Sequence, residues 1–237
     1  MRNNNRTAEQ MRLCEIIPNV NVYAEGSCLI KMGNTHVLCT ASVDETVPNW
    51  LQGSSKGWIT AEYSLLPRAT STRVSRETKG VGGRTHEIQR LIGRSLRSVV
   101  NLEEMSGICI HIDCDVLQAD GGTRTASISG GFVALYSALQ KLVKQGKLPR
   151  NPIREYVAAI SCGICNGESV LDLDYAEDSH ADADTNFVLT ESGRIVELQA
   201  TAEGATFSED EFNQLFGLAK SGIHQIIRIQ KSILEKE

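Results

Sequence analysis

Residues 108–126 join two periodicities across a short glycine turn. Ile108 to Val116 alternates apolar and polar residues, the signature of a half-buried strand. From about Thr125 to Lys144, Ile128, Phe132, Leu135, Tyr136, Leu139 and Leu142 recur at helical spacing, with a stop expected near Gly146 and Pro149. Only residues 117–124, with Asp120-Gly121-Gly122 at their centre, lie between them. A strand that feeds so directly into a long apolar-faced helix must lay that helix on a sheet, because neither element buries its apolar side alone.

The remaining chain fits the same scheme. Residues 28–32 lead through Gly33-Asn34 into 36–43, and another strand is expected at Trp58–Tyr63. Residues 156–165 and 169–174 flank Asn166-Gly167, a strong short hairpin signal, and 186–190 and 194–201 flank Ser192-Gly193. Asp172 and Asp174 alternate with Leu171 and Leu173, which predicts an acidic strand face. Ile88, Leu91, Ile92, Leu96 and Val99 stripe one helix, with Arg90, Arg94 and Arg97 opposite. A last helix opens at the capping box Ser208-Glu209-Asp210-Glu211, with a break expected at Gly222. The order reads as α+β, with helices packed on mixed or antiparallel sheets in a pseudo-duplicated βα arrangement, and as one domain over residues 1–237.

Composition narrows the function classes. No apolar run approaches the ~18 residues of a membrane helix, and the polar N-terminus has no hydrophobic core of a secretory signal, so a cytoplasmic setting is expected. The seven cysteines are an odd number, and Cys162-Gly163-Ile164-Cys165 lies in a strand pattern with no second pair, so the thiols read as small hydrophobes. The net charge of −5 disfavours a nucleic-acid partner, but its distribution does not. Between residues 68 and 97, eight basic residues face only Glu77 and Glu87; between 168 and 211, thirteen acids face only Arg194. A polyanion site beside a divalent-metal site needs this asymmetry, and two solvated surfaces would also show it.

Two stretches carry candidate chemistry. Gly122-Thr123-Arg124-Thr125 opens the long helix, where unpaired N–H groups and the positive end of the dipole favour an anion; Thr123 and Thr125 add hydroxyls, and Arg124 a fork that fits phosphate. The terminal Lys-Ser/Thr of a Walker A loop is missing. Gly82-Gly83-Arg84-Thr85 opens the first helix similarly, so Arg84 reads either as a second anion ligand or as a surface charge. Asp172, Asp174, Glu177, Asp178, Asp182 and Asp184 repel one another unless a cation sits among them, and Mg²⁺ fits such oxygen donors, although a solvated acidic loop is the simpler alternative. An EF-hand is excluded by Ala183 and Leu189 at the positions that need Gly and Glu.

Together these pieces resemble the ribonuclease PH family. The resemblance rests on Ala24-Glu25-Gly26-Ser27, Gly57–Tyr63, Leu66-Pro67-Arg68, Gly83-Arg84-Thr85 with Glu87–Arg94, Asp113–Ala126, and Glu177-Asp178 followed by Asp184. It implies a fold of duplicated two-layer βα units and phosphorolytic 3′→5′ exoribonuclease activity that trims transfer RNA precursors. It implies a phosphate site of Arg84, Gly122, Thr123, Arg124 and Thr125, and catalytic, Mg²⁺-linked carboxylates at Asp178 and Asp184. It also implies tRNA contacts at Arg68, Arg73 and Arg76 and a homohexamer built as a trimer of dimers, with Arg90, Arg94 and Arg97 as candidates for the ring interface. Thr185 stands where the family usually has Met; His180 and Asp182 take no role. Two other classes stay open: a catalytically silent ring subunit, and a small-molecule kinase with a glycine-rich loop.

Overall fold

A computed structural model describes residue 2, residues 5–202 and residues 206–235. Met1, Asn3 and Asn4 of the polar N-terminus and Glu203 of the acidic stretch lie outside the described residues.

The first sheet contains β1 (Cys14–Pro18), β2 (Gly26–Met32), β3 (Thr35–Asp44), β4 (Trp58–Leu65) and β5 (Cys109–Gln118), in the order β1-β2-β3-β5-β4. Its neighbours are antiparallel except β4 and β5, which run parallel. Parallel neighbours need a crossover, and α1 (Gly83–Ser98) supplies it. The second sheet is antiparallel, with β6 (Val157–Cys165), β7 (Glu168–Leu171), β8 (Ala183–Thr190) and β9 (Ile195–Ala202) in the order β7-β6-β8-β9. α2 (Thr123–Lys144) packs on β2, β3 and β5 on one side and on β6 on the other. α4 (Glu209–Leu234) covers β6 and β7. Each half is thus a sheet followed by a long helix, which is the expected α+β architecture.

Because α2 lies between two sheets, its apolar stripe is wider than a surface helix needs. Every residue from Thr125 to Leu135 is buried, and the fully enclosed Phe132 belongs to one core cluster with the equally enclosed Ile30, Ile112 and Ile160 of both halves. Burying each such side chain contributes about 1.5–3 kcal/mol. All seven cysteines are free; five are buried, and burial pushes the Cys162 thiol far above its ordinary range, so they act as core atoms. Among the described residues no helix is long and apolar enough to cross a membrane.

The hairpin turns form as the sequence predicts. Asn166 (φ 52°) and Gly167 (φ 76°) are both left-handed and join Cys165 to Glu168. Three expectations need correction. The strand predicted over 169–174 ends at Leu171, and Asp172 turns away at φ 58°, so Asp172 and Asp174 form no acidic strand face and are buried instead. The strand expected from Asn186 begins at Ala183, so that Asp184 lies within β8, opposite Gly163 and Thr201. α4 runs unbroken through Gly222, where a Cβ would stand 2.6 Å from Ile160 Cδ1; the glycine serves close helix–sheet packing rather than a break. The short edge strand β1 gave no clear signal, since its five residues carry little alternation and end in Pro18.

Candidate active site between the two halves

The Asp120-Gly121-Gly122 turn lies where the halves meet. Gly121 (φ 73°) and Gly122 (φ 64°) are both left-handed, a conformation that costs other residues about 1 kcal/mol or more, and Gly122 is the N-cap of α2. A Cβ on Gly121 would stand 2.6 Å from the Leu173 carbonyl oxygen and 2.9 Å from the Tyr175 nitrogen. The turn therefore presses on the backbone that leads into α3 (Tyr175–Asp178), the short helix that carries Asp178. The hydroxyl of Thr35 donates to the Gly121 carbonyl (2.6 Å) and accepts from the Asp120 N–H (2.9 Å), and the Tyr175 N–H reaches Asp120 Oδ1 (3.3 Å).

The N-terminal segment locks this junction. Arg12 donates to Asp172 from its backbone N–H (2.7 Å), Nε (2.9 Å) and Nη2 (2.7 Å), while Nη1 donates to the Asp120 carbonyl. Arg2 forks onto Glu177 (2.6 and 2.8 Å) and donates to the Leu171 and Asp172 carbonyls. Arg6 reaches the Asp172 carbonyl (2.8 Å), Glu177 (3.1 Å) and Asp174 (3.5 Å). Asp174 and Glu177 also form the capping box of α3. Half of the predicted metal-binding carboxylates thus have arginines as their cations. Burial works against the Glu177 charge, but hydrogen bonds from Arg2 and the Asp174 backbone and the charges of Arg2 and Arg6 outweigh it and lower its pKa.

Asp178 ends α3, whose leading backbone the turn presses on, and Asp184 lies on β8. Asp178 is exposed as a residue, yet loss of surrounding water and then the Asp184 charge push its pKa up, while Arg84, Arg124 and Arg12 pull it down. Arg84, Arg124 and Asp184 thus all act on the Asp178 carboxyl. No group of three or more potential ligands for a metal ion occurs among the described residues. Two hard carboxylates in mutual repulsion still suit Mg²⁺, which takes one or two and keeps its waters. His180 turns to Ala176 O and Ser179 at the end of α3.

Thr123 begins α2, and its hydroxyl meets the Tyr63 hydroxyl at 2.7 Å. Burial raises the Tyr63 pKa, with Arg84 and Arg124 acting in the opposite sense. Arg124 is half-buried; its Nη1 donates to Gln199 Oε1 (2.8 Å) and stands 3.5 Å from Glu87. Thr125 is buried and donates to the Gly122 carbonyl (2.9 Å), which holds the turn in shape. Arg84 is exposed on the first turn of α1. Arg68, Arg73 and Arg76 are exposed on the irregular segment between β4 and α1. Arg94 pairs with Glu197 (2.7 Å) and Arg97 stacks on Trp58 (4.3 Å), so both are engaged within the chain.

Sequence reasoning named no role for Arg12, Tyr63 or Gln199. Tyr63 closes a motif already singled out, whereas Arg12 and Gln199 carried no local signal, because their partners lie 160 and 75 residues away.

Residues 10–139 match the model of domain 1 of the 3′ exoribonuclease family, and residues 155–222 match its domain 2. The chain is 56% identical over 234 residues to ribonuclease PH of Methylocella silvestris, covering 98% of this chain and 99% of that protein. It is 54% identical over 236 residues to ribonuclease PH of Rhodospirillum rubrum, covering 99% and 98%. Among solved structures it is similar to a chain of the Archaeoglobus fulgidus exosome with RNA bound to the active site, with a TM-score of 0.81 and 22% identity over 96% of this chain and 91% of that one. Rice (Oryza sativa) Rrp46 superposes with a TM-score of 0.77 and 19% identity, covering 98% and 100%. Matches at both domains in one order, together with identity above one half along nearly the whole length, place this chain in the ribonuclease PH family of 3′ exoribonucleases.

Proposed function

We propose that this chain is a phosphate-dependent 3′→5′ exoribonuclease that trims the 3′ ends of transfer RNA precursors, transferring each terminal nucleotide to inorganic phosphate. The observation that carries this is the Gly121-Gly122 turn, which opens α2 with Thr123 and Arg124 while it presses on the backbone leading into α3 and Asp178. The attacking oxygen of phosphate forms a bond to the last phosphodiester phosphorus while the bond to the upstream O3′ breaks. The products are a nucleoside diphosphate and an RNA one nucleotide shorter. The proton that phosphate gives up ends on the departing O3′, so the reaction needs no net acid or base.

The barrier is electrostatic. Two unit anions at about 4 Å repel by about 4 kcal/mol at an effective dielectric of ~20. Arg84, Arg124 and the N-terminus of α2 offset this for the incoming phosphate, and Thr123 with Tyr63 beside it adds a hydroxyl pair. Mg²⁺ on Asp178 and Asp184 would supply charge neutralisation at the scissile phosphate. Asp178, with its raised pKa, is also suited to hand a proton to O3′. Arg68, Arg73 and Arg76 grip the RNA beyond the site. The working form is a cytoplasmic homohexamer, a trimer of dimers.

The test is to incubate the protein with Mg²⁺ and a tRNA bearing a short 3′ extension, with and without inorganic phosphate. Phosphate-dependent shortening with release of nucleoside diphosphates is expected. Shortening without phosphate would mean hydrolysis and refute the anion site. Bound but unshortened RNA would favour the silent ring subunit.

A further inference from the structure

We propose that Glu87 and Gln199 form a positioning relay that aims the Arg124 guanidinium at the phosphate site, so that the second half of the chain sets the phosphate affinity of the first. The inference rests on the reading of Arg124 as a phosphate ligand.

Three elements meet here. Arg124 lies on the first turn of α2, Glu87 on α1 one turn after Arg84, and Gln199 on β9 of the second sheet. Gln199 Oε1 accepts from Arg124 Nη1 at 2.8 Å, and Gln199 Nε2 donates to Glu87 Oε1 at 2.7 Å. An amide has one acceptor side and one donor side, so the bond to Glu87 fixes which side faces Arg124. Glu197, two residues along β9, accepts more weakly from the same Nε2 (3.5 Å) and is itself held by Arg94 of α1 (3.0 and 2.7 Å). Among the described residues, the bonds to Arg124 fall on Nη1 alone, which leaves the Nε and Nη2 side of the fork for two parallel bonds to an oxyanion.

A carboxylate beside an anion site is otherwise unexpected. Glu87 stands 3.5 Å from Arg124 Nη1 and would weaken phosphate binding through its charge. Its contact with Gln199 gives it a different use, as an acceptor that orients the amide. Acceptor and charge separate cleanly in substitutions, because glutamine at residue 87 keeps an acceptor oxygen without the charge.

The full-length variants Gln199→Ala, Glu87→Ala, Glu87→Gln and Arg124→Ala would each be assayed for kcat, KM for phosphate and KM for RNA, beside thermal melts. Loss of a neutral or charge-assisted hydrogen bond that orients a ligand is worth about a five- to tenfold change. Gln199→Ala and Glu87→Ala are expected to raise KM for phosphate by about that factor with KM for RNA within about twofold. Glu87→Gln, which keeps the acceptor and removes the opposing charge, is expected to hold KM for phosphate at or below that of the parent. A purely structural role would lower the melting temperature or move both KM values together, and that result would overturn the relay. So would an unchanged KM for phosphate in Gln199→Ala while Arg124→Ala loses phosphorolysis. If Arg124→Ala itself keeps the parent's KM for phosphate, the underlying phosphate reading falls instead. Gln199 is half-exposed on an edge strand, so its variant is expected to fold.

Discussion

Replacing Asp172 with Asn tests how the site is assembled. The Asp172 carboxylate is buried and accepts three hydrogen bonds from Arg12, whose guanidinium is also buried. Asparagine tolerates the left-handed backbone at this position (φ 58°), so the substitution removes charge without adding backbone strain. Its NH₂ group would face an Arg12 donor, and the cluster would pass from three arginines against three carboxylates to three against two. The Arg6 pKa is already lowered by burial and by the neighbouring Arg2, so the excess positive charge has nowhere to relax. Breaking a buried pair on one side costs about 3–5 kcal/mol. For a chain of this size each kcal/mol moves Tm by about 2–4 °C, so a drop of about 6–20 °C is expected. Differential scanning calorimetry at fixed protein concentration measures it, since assembly shifts apparent stability. The double variant Arg12→Met with Asp172→Asn removes both charges and is expected to recover at least half of the loss. Because Arg12 also holds the Asp120 carbonyl, KM for phosphate is expected to rise in the single variant. A melting temperature within about 2 °C of the parent would refute the reasoning.

Three further outcomes follow from the geometry. Alanine at Arg68, Arg73 and Arg76 together is expected to weaken tRNA binding and flatten its log–log salt dependence by up to about two to three units; an unchanged slope in filter-binding titrations would remove these residues from the RNA path. Burial, Glu62 and Asp115 hold the Asp113 pKa above its ordinary value, so the folded state binds that proton more tightly than the unfolded chain and Asp113 costs stability above its folded pKa. Asp113→Asn is therefore expected to raise Tm at pH 7–8, with the gain fading as pH falls toward the unfolded value of about 3.9; an equal gain at both ends contradicts this. Gly121→Ala combines a disfavoured φ with a 2.6 Å approach to the Leu173 carbonyl and is expected to cost about 2 kcal/mol or more and to raise KM for phosphate; a parent-like melt and KM would show that the turn is not under that constraint.

Local chemistry was legible from the sequence because it is encoded within a few residues. The Gly121-Gly122 turn, the helix start at Thr123-Arg124, the Asn166-Gly167 hairpin and the Ser208 capping box each depend on neighbours in the chain, and each forms as the residue pattern predicts. The α+β class followed from the two periodicities in the same way. What the pattern could not determine was the cation partner of each carboxylate. Asp172, Asp174 and Glu177 looked like further members of a metal-binding cluster, and only the return of the N-terminal segment across the second sheet assigns them to Arg2, Arg6 and Arg12. Asp178 and Asp184 look no different from those three in sequence, and in the fold Asp178 ends α3 under the influence of Arg84 and Arg124 while Asp184 lies on β8. The Glu87–Gln199–Arg124 relay is silent in sequence for the same reason. Hydrogen-bonded turns and caps close over three or four residues and leave a local signature, whereas side-chain contacts spanning 75 to 175 residues depend on how two sheets stack around one helix, and that distance exists only once the chain has folded.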